Sequence, residues 1–176
     1  LDTSNDGLET GGPVMDALPE LRAAADSAIP TVVLPVLHGP NGEDGTVQGL
    51  LELSGTAYVG SGVLGSAVAM DKAMAKTVLS AAGIPQARFH SAARWALNEV
   101  MVGDIISDLG LPLFIKPANM GSSVGVSKAR SRTEVLAGIE NALIHDENVV
   151  FEESIRGRAL EIGVLGNASP RVSVPG

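Results

Sequence analysis

The chain has 176 residues, 45% of them hydrophobic, and a mean hydropathy of +0.25, which is ample for a packed core. It carries a formal charge of −8, no cysteine and only 3% aromatic residues. Disulfides and thiolate metal sites are thereby excluded, and the basic surface and stacking side chains of a nucleic-acid binder are lacking.

The charge is unevenly placed: residues 1–60 hold nine acids against Arg22 alone, whereas residues 61–176 hold eleven of each sign. This asymmetry predicts two structural units, one over residues 1–66 and one over residues 67–176. The uncharged stretch of residues 55–70 is shorter than a bilayer requires and is interrupted by Gly60, Gly62 and Gly65, so no membrane span is expected. Leu1 is not followed by a basic-then-apolar leader, which with the lack of cysteine sets the expectation of a cytoplasmic protein.

In chain order, residues 1–12 are rich in Gly, Asp, Thr and Ser and read as a loop, and residues 13–25 as a short helix. Residues 31–37 form a continuous apolar run of strand length, as expected for a strand buried on both faces of a parallel sheet. Asp44 is expected to N-cap a helix carrying Val47, Leu50, Leu51 and Leu53, and residues 57–59 to form the next short strand. A further helix begins at Asp71, runs through Met74, Val78 and Leu79, and stops at Gly83 with Pro85 beyond it. A strand at 87–90, a helix over 97–108 and a strand at 111–115, ending at Lys116-Pro117, follow. Thr133 is expected to cap a helix carrying Val135, Leu136, Ile139 and Leu143, and residues 148–152, 160–165 and 171–174 read as successive strands. The fold class is α/β.

Four constellations carry chemistry. The segment His38-Gly39-Pro40-Asn41-Gly42-Glu43-Asp44-Gly45-Thr46-Val47-Gln48-Gly49 lies where an apolar strand ends and a helix opens, the position at which ligands bind in open α/β sheets. Each of its acids alone reads as a helix-dipole partner; twelve residues of this composition in succession read as a site. The segment Lys116-Pro117-Ala118-Asn119-Met120-Gly121-Ser122-Ser123-Val124-Gly125-Val126 can present amides, hydroxyls and an ammonium to phosphate oxygens. It is not a Walker A loop, since no Gly-Lys-Ser/Thr follows. A flexible hairpin with a surface lysine is the alternative, but a charge that ends an apolar strand is expensive without a partner. In Met70-Asp71-Lys72-Ala73-Met74-Ala75-Lys76, Asp71 reads as an N-cap with Lys72 and Lys76 on a solvated face. In Phe151-Glu152-Glu153-Ser154-Ile155-Arg156-Gly157, strand-end carbonyls, a carboxylate and an aliphatic side chain suit an adenine, although charged strand ends are common on any sheet.

Together these segments resemble D-alanine–D-alanine ligases of the ATP-grasp kind, in family order across residues 31–176. The resemblance implies a truncated Rossmann-like N-terminal domain over residues 1–66, followed by the first half of an ATP-grasp domain over residues 67–176. It implies ATP-dependent joining of two D-alanines through an acyl phosphate, for peptidoglycan precursors, by a cytoplasmic homodimer. Lys72 and Lys116 would contact ATP phosphates under a loop carrying Ser123, and Glu152, Glu153 and Ile155 would hold the adenine. His38 would sit near the first D-alanine, with Ser122 in the network orienting it. Two departures are expected to matter. Ala159 stands where the family pattern has a Glu that contacts the ribose, so that either nucleotide affinity is reduced or Glu161 compensates. The family's first strand with its substrate-binding Glu, its mobile Lys-Tyr loop, its transition-state Arg and its acidic Mg²⁺ ligands are expected outside these residues, so no metal site is assigned. The competing readings are a D-alanine–D-lactate ligase or other ATP-grasp ligase, and a nucleotide-binding module without chemistry.

Overall fold

The computed structural model describes residues 17–176. The loop expected over residues 1–12 and the start of the helix expected from residue 13 lie outside the described residues. The helix itself, α1, is described over Ala17–Ala25.

The first part of the chain continues with β1 (Val32–Val33), α2 (Thr46–Ser54), β2 (Ala57–Tyr58), α3 (Val63–Met70) and α4 (Lys72–Ala81). Strands β1 and β2 pair in parallel, with Val32 opposite Ala57. The expected seven-residue strand is therefore only two residues long, and it is not buried on both faces. Val32, Leu34, Val36 and Leu37 are all exposed, because among the described residues β2 is the one strand that covers it. Asp44 is not the N-cap of α2, a position held by Gly45 in a left-handed conformation with φ 94. The Asp44 carboxylate accepts instead from Asn41 N at 2.8 Å and Thr46 N at 3.0 Å, which keeps its carboxyl below the usual range. A Cβ on residue 45 would lie 2.8 Å from the Val63 carbonyl oxygen, so glycine is what lets α2 and α3 approach. Within α2 the buried face is Gln48, Leu51 and Ser54, while Leu53 points to solvent.

Helix α3 has no counterpart among the sequence expectations, since its small and glycine residues mask the helical period. It touches α2 on one side and α4 on the other, and so joins the two parts of the chain. Helix α4 starts as expected: the Asp71 carboxylate accepts from Ala73 N at 2.9 Å and Met74 N at 3.0 Å.

The second part comprises β3 (Phe89–Ala93), α5 (Glu99–Leu109), β4 (Leu113–Pro117), β5 (Ser127–Ala129), α6 (Arg132–Leu143) and β6 (Asn148–Glu153). Its four strands form one antiparallel sheet in the order β3-β6-β4-β5. Helix α6 is capped by Ser131, whose hydroxyl accepts from Glu134 N, and not by Thr133, which sits inside the first turn. Strand β4 is buried at Leu113, Ile115 and Pro117 but only partly at Phe114 and Lys116, the alternation of a sheet with two different faces. One face carries Leu113, Ile115, Ala129, Val149 and Phe151 and packs on Val102, Ile105 and Leu109 of α5 and on Val135, Ile139 and Ala142 of α6. Full burial of each large member contributes about 1.5–3 kcal/mol, so this layer is the rigid platform of the molecule. The opposite face carries Phe89, Phe114, Lys116 and Glu152, brought side by side by the register Phe89↔Glu152 and Phe114↔Glu152.

Beyond β6 the expected strands shrink to β7 (Val164–Leu165) and β8 (Arg171–Val172), an exposed antiparallel ladder that turns at Gly166, φ 119. Among the described residues no helix is long and apolar enough to cross a membrane.

Candidate functional site

The second face of the antiparallel sheet opens into a cleft of about 470 Å³ lined by Lys72, Phe114, Lys116, Ser122, Ser123, Glu152, Glu153 and Ile155, among others. Seven of the eight residues singled out in the sequence thus converge: the exception is His38. The exposed His38 borders a separate hollow with Pro40, Asn41 and Leu50. The first signature segment reaches toward the cleft through Glu43 instead. Its Oε2 accepts from Gly39 N at 2.6 Å and would lie 3.9 Å from a Cβ placed on Gly121. Neither Ala159 nor Glu161 lines the cleft.

Strand β4 supplies Lys116 and β6 supplies Glu152. The register sets Lys116 opposite Val150 and Glu152 opposite Phe114, and the ammonium of Lys116 reaches Glu152 Oε2 as a close ion pair. The charge at the end of the apolar run is therefore partnered, as its burial demands. Glu152 Oε1 is taken by Lys76 at 3.0 Å, with the Lys76 and Glu152 side chains only 13% and 12% exposed. Burial raises the Glu152 pKa, but the two ammonium groups outweigh burial and hold its carboxyl below the usual carboxylate range. Lys76 is thus not on a solvated face. It is the member of this ion-pair cluster that the sequence reading missed, and its spacing of one helical turn from Lys72 was the available signal.

Lys72, at the start of α4, donates through Nζ to the carbonyls of Ala118, at 3.3 Å, and Met120, while its backbone N–H donates to Ala118 O at 3.0 Å. It therefore ties the Gly-Ser loop to the helix. Burial, followed by the charge of Lys116, lowers the pKa of Lys72. A second tie holds the same loop from the other side. Asp146 Oδ2 accepts from Asn119 N at 2.7 Å and Asn119 Nδ2 at 2.9 Å, and its Oδ1 accepts from Asn148 N. Directly after these anchored residues Ser122 and Ser123 adopt left-handed conformations, φ 49 and 60, that non-glycine residues adopt at a cost of about 1–3 kcal/mol each. The start of the loop is pinned by these ties and its end by the pairing of β5 with β4, and the exposed serines stand at the rim of the cleft.

Glu153 lines the cleft, but its carboxylate faces Arg88. It accepts from the Arg88 backbone N–H at 2.8 Å and from Nε at 2.9 Å, which lowers its pKa. Around the cleft three ammonium groups, Lys72, Lys76 and Lys116, thus stand against the one carboxylate of Glu152, since that of Glu153 is held by Arg88, and the balance favours an anion. Three cation–π contacts back the same face: Lys76 and Phe89 at 5.1 Å, Lys116 and Phe114 at 5.7 Å, Lys128 and Phe114 at 5.1 Å. Lys72, Lys116 and the Ser122–Ser123 loop can offer ammonium groups, amides and hydroxyls to an anion in this cleft. Among the described residues no group of three His, Asp or Glu side chains converges to hold a metal ion.

Comparison with known proteins identifies the family. The family model of the D-ala D-ala ligase C-terminus matches residues 78–176 and that of the D-ala D-ala ligase N-terminus matches residues 7–61. The chain is 47% identical over 164 residues to a D-alanine–D-alanine ligase of Bacillus velezensis, covering 92% of this chain and 45% of that protein. It is 53% identical over 150 residues to one from Synechococcus sp., covering 82% and 42%. Among solved structures, the D-alanine–D-alanine ligase of Coxiella burnetii superposes with a TM-score of 0.78 at 39% identity, covering 82% of this chain and 43% of that one. The VanG D-Ala:D-Ser ligase of Enterococcus faecalis superposes with a TM-score of 0.77 at 42% identity, covering 82% and 42%. The chain spans a little under half the length of the curated relatives it matches. The fold is that of the ATP-grasp ligases, and the chain belongs to the D-alanine–D-alanine ligase family.

Proposed function

We propose that this chain supplies the first half of the nucleotide site, and part of the D-alanine site, of an ATP-dependent ligase that joins two D-alanines through an acyl phosphate. The observation that carries the reading is the cleft in which Lys72, Lys116 and the left-handed Ser122–Ser123 loop meet the Glu152–Ile155 segment on one sheet face. Lys116 and Lys72 bind and orient phosphate, the loop amides and hydroxyls complete the cradle, and Glu152, Glu153 and Ile155 flank the adenine. ATP with Mg²⁺ supplies the phosphoryl group that activates the carboxylate. Because phosphoryl transfer demands positioning and charge stabilisation above all, lysines on a rigid sheet are suited to it. His38 and Ser122 are assigned to orienting the first D-alanine, on the strength of the family resemblance. A homodimer in the cytoplasm, a division into residues 1–66 and 67–176, and a role in peptidoglycan precursor synthesis go with the same reading.

A second reading concerns the second substrate, because a D-Ala:D-Ser ligase resembles the chain as closely in structure as a D-alanine–D-alanine ligase does. The experiment is phosphate release from ATP by the protein carrying this chain, with D-alanine, L-alanine, and D-alanine plus D-serine or D-lactate. Release with D-alanine alone supports the main reading. Release that requires D-serine or D-lactate moves the assignment to the second reading, and release with none of them overturns both.

A further inference from the structure

We infer that Lys76 is a positioning residue for the phosphate-binding lysine Lys116, acting through Glu152: it holds the shared carboxylate so that Lys116 can exchange Glu152 for a nucleotide phosphate. The inference rests on the nucleotide reading of the cleft and deepens it.

Glu152 is nearly buried, and its two oxygens have different partners, Oε1 with Lys76 and Oε2 with Lys116. Lys116 lines the cleft and Lys76 does not. Lys76 meets the other carboxylate oxygen, and the rest of its hydrogen-bonding capacity is spent on Gln86 Oε1 and the Ala87 carbonyl, both at 3.4 Å, with its ammonium 5.1 Å from the centre of the Phe89 ring. It therefore has little left with which to meet a ligand. An incoming phosphate has to take Lys116 from an existing ion pair. If Glu152 had no second partner, that exchange would leave a buried carboxylate unpaired, a costly outcome that would hold Lys116 on Glu152 and set it against the ligand. With Lys76 in place the carboxylate keeps one ammonium throughout, so the exchange at Lys116 trades one anion for another. Helix α4 delivers both functions from one face, Lys72 to the loop and Lys76, one turn later, to Glu152.

The test is calorimetric titration of the protein carrying this chain, as wild type and as Lys76→Met, Lys76→Arg, Glu152→Gln and the Lys76→Met/Glu152→Gln pair, with ATP and, separately, adenosine. Lys76→Met should lower the ratio of ATP to adenosine affinity roughly tenfold or more, the size of coupling found between directly paired groups. Lys76→Arg should restore most of it, because the cation is retained. In the Glu152→Gln background the carboxylate that needs holding is gone, so adding Lys76→Met should leave the ratio within about twofold, as expected for an effect that passes wholly through its partner. A general structural role predicts the reverse: equal losses for ATP and adenosine, and a further loss on top of Glu152→Gln. Either of those results overturns the inference, as does a Lys76→Met chain with wild-type ATP affinity. If Lys76→Met alone does not fold, the comparison between Glu152→Gln and the pair still decides. Failure of the wild-type protein carrying this chain to bind ATP at all would instead overturn the nucleotide reading on which this one stands.

Discussion

Replacing Lys116 by alanine separates a binding lysine from a structural one, because the structure predicts opposite sizes for the two effects. Truncation removes one partner of Glu152, whose side chain is 12% exposed, but the other partner, Lys76, remains at 3.0 Å. The carboxylate is not orphaned, so the roughly 3–5 kcal/mol cost of breaking a buried pair does not apply. What is lost is a pair whose lysine side chain is 24% exposed, together with the contact of its ammonium with the Phe114 ring, about 1 kcal/mol together. Binding suffers more. An ammonium-to-phosphate hydrogen bond contributes about 1.5–3 kcal/mol, roughly ten- to hundredfold in affinity. Removing Lys116 also leaves Glu152 lining the cleft with a single cation, which places the loss toward the top of that range. ATP affinity measured by calorimetry and stability measured by urea denaturation should therefore part company. An affinity within about threefold of wild type, where one such bond predicts more, would refute the phosphate assignment, and a destabilisation beyond about 3 kcal/mol would show that Glu152 depends on Lys116 and not on Lys76.

Other perturbations probe the parts that position the site. Gly138→Ala should destabilise the chain by about 1–2 kcal/mol in urea denaturation, overpacking partly offset by helix propensity: the new Cβ would stand 2.9 Å from Ile115 Cδ1 and 3.1 Å from Ser127 Cβ in a layer where Ile115 has no room to move. Asp146→Ala should release the start of the phosphate loop and weaken ATP roughly tenfold while adenosine is little changed, since three N–H donors converge on that carboxylate. The lowered pKa of Lys72 predicts a proton linkage. Below the ordinary value of 10.5 the free cleft begins to lose the Lys72 proton, and a bound phosphate restores the ammonium. ATP binding should then take up protons and weaken as pH rises through that window, which calorimetry in buffers of different ionisation enthalpy will register; binding without proton uptake anywhere below pH 10.5 would count against Lys72 at the phosphates.

What was legible in the sequence was whatever is decided locally. Asp71 caps α4 because the two N–H groups it accepts from lie within three residues of it, and the Gly-Ser loop announces itself by composition. Ser131 and Thr133 both suit a cap, and the choice between them was made by the extended backbone at Ser131, which a residue count does not show. The apolar run before Lys116 concealed its own alternation, since Phe114 is as hydrophobic as its neighbours yet belongs to the cleft face, where its ring lies beneath Lys116 and Lys128. Residues 31–37 carry the composition of a buried strand, but burial is a property of neighbours, and among the described residues β2 alone pairs with it. Lys76 was hidden for the same reason. Its helical spacing from Lys72 was readable, whereas its partner sits on a distant strand. Only the register of β6 between β3 and β4, which puts Glu152 opposite both Phe89 and Phe114, brings one carboxylate within reach of a lysine from the helix and a lysine from the sheet, and so turns two separate cations into a shared device.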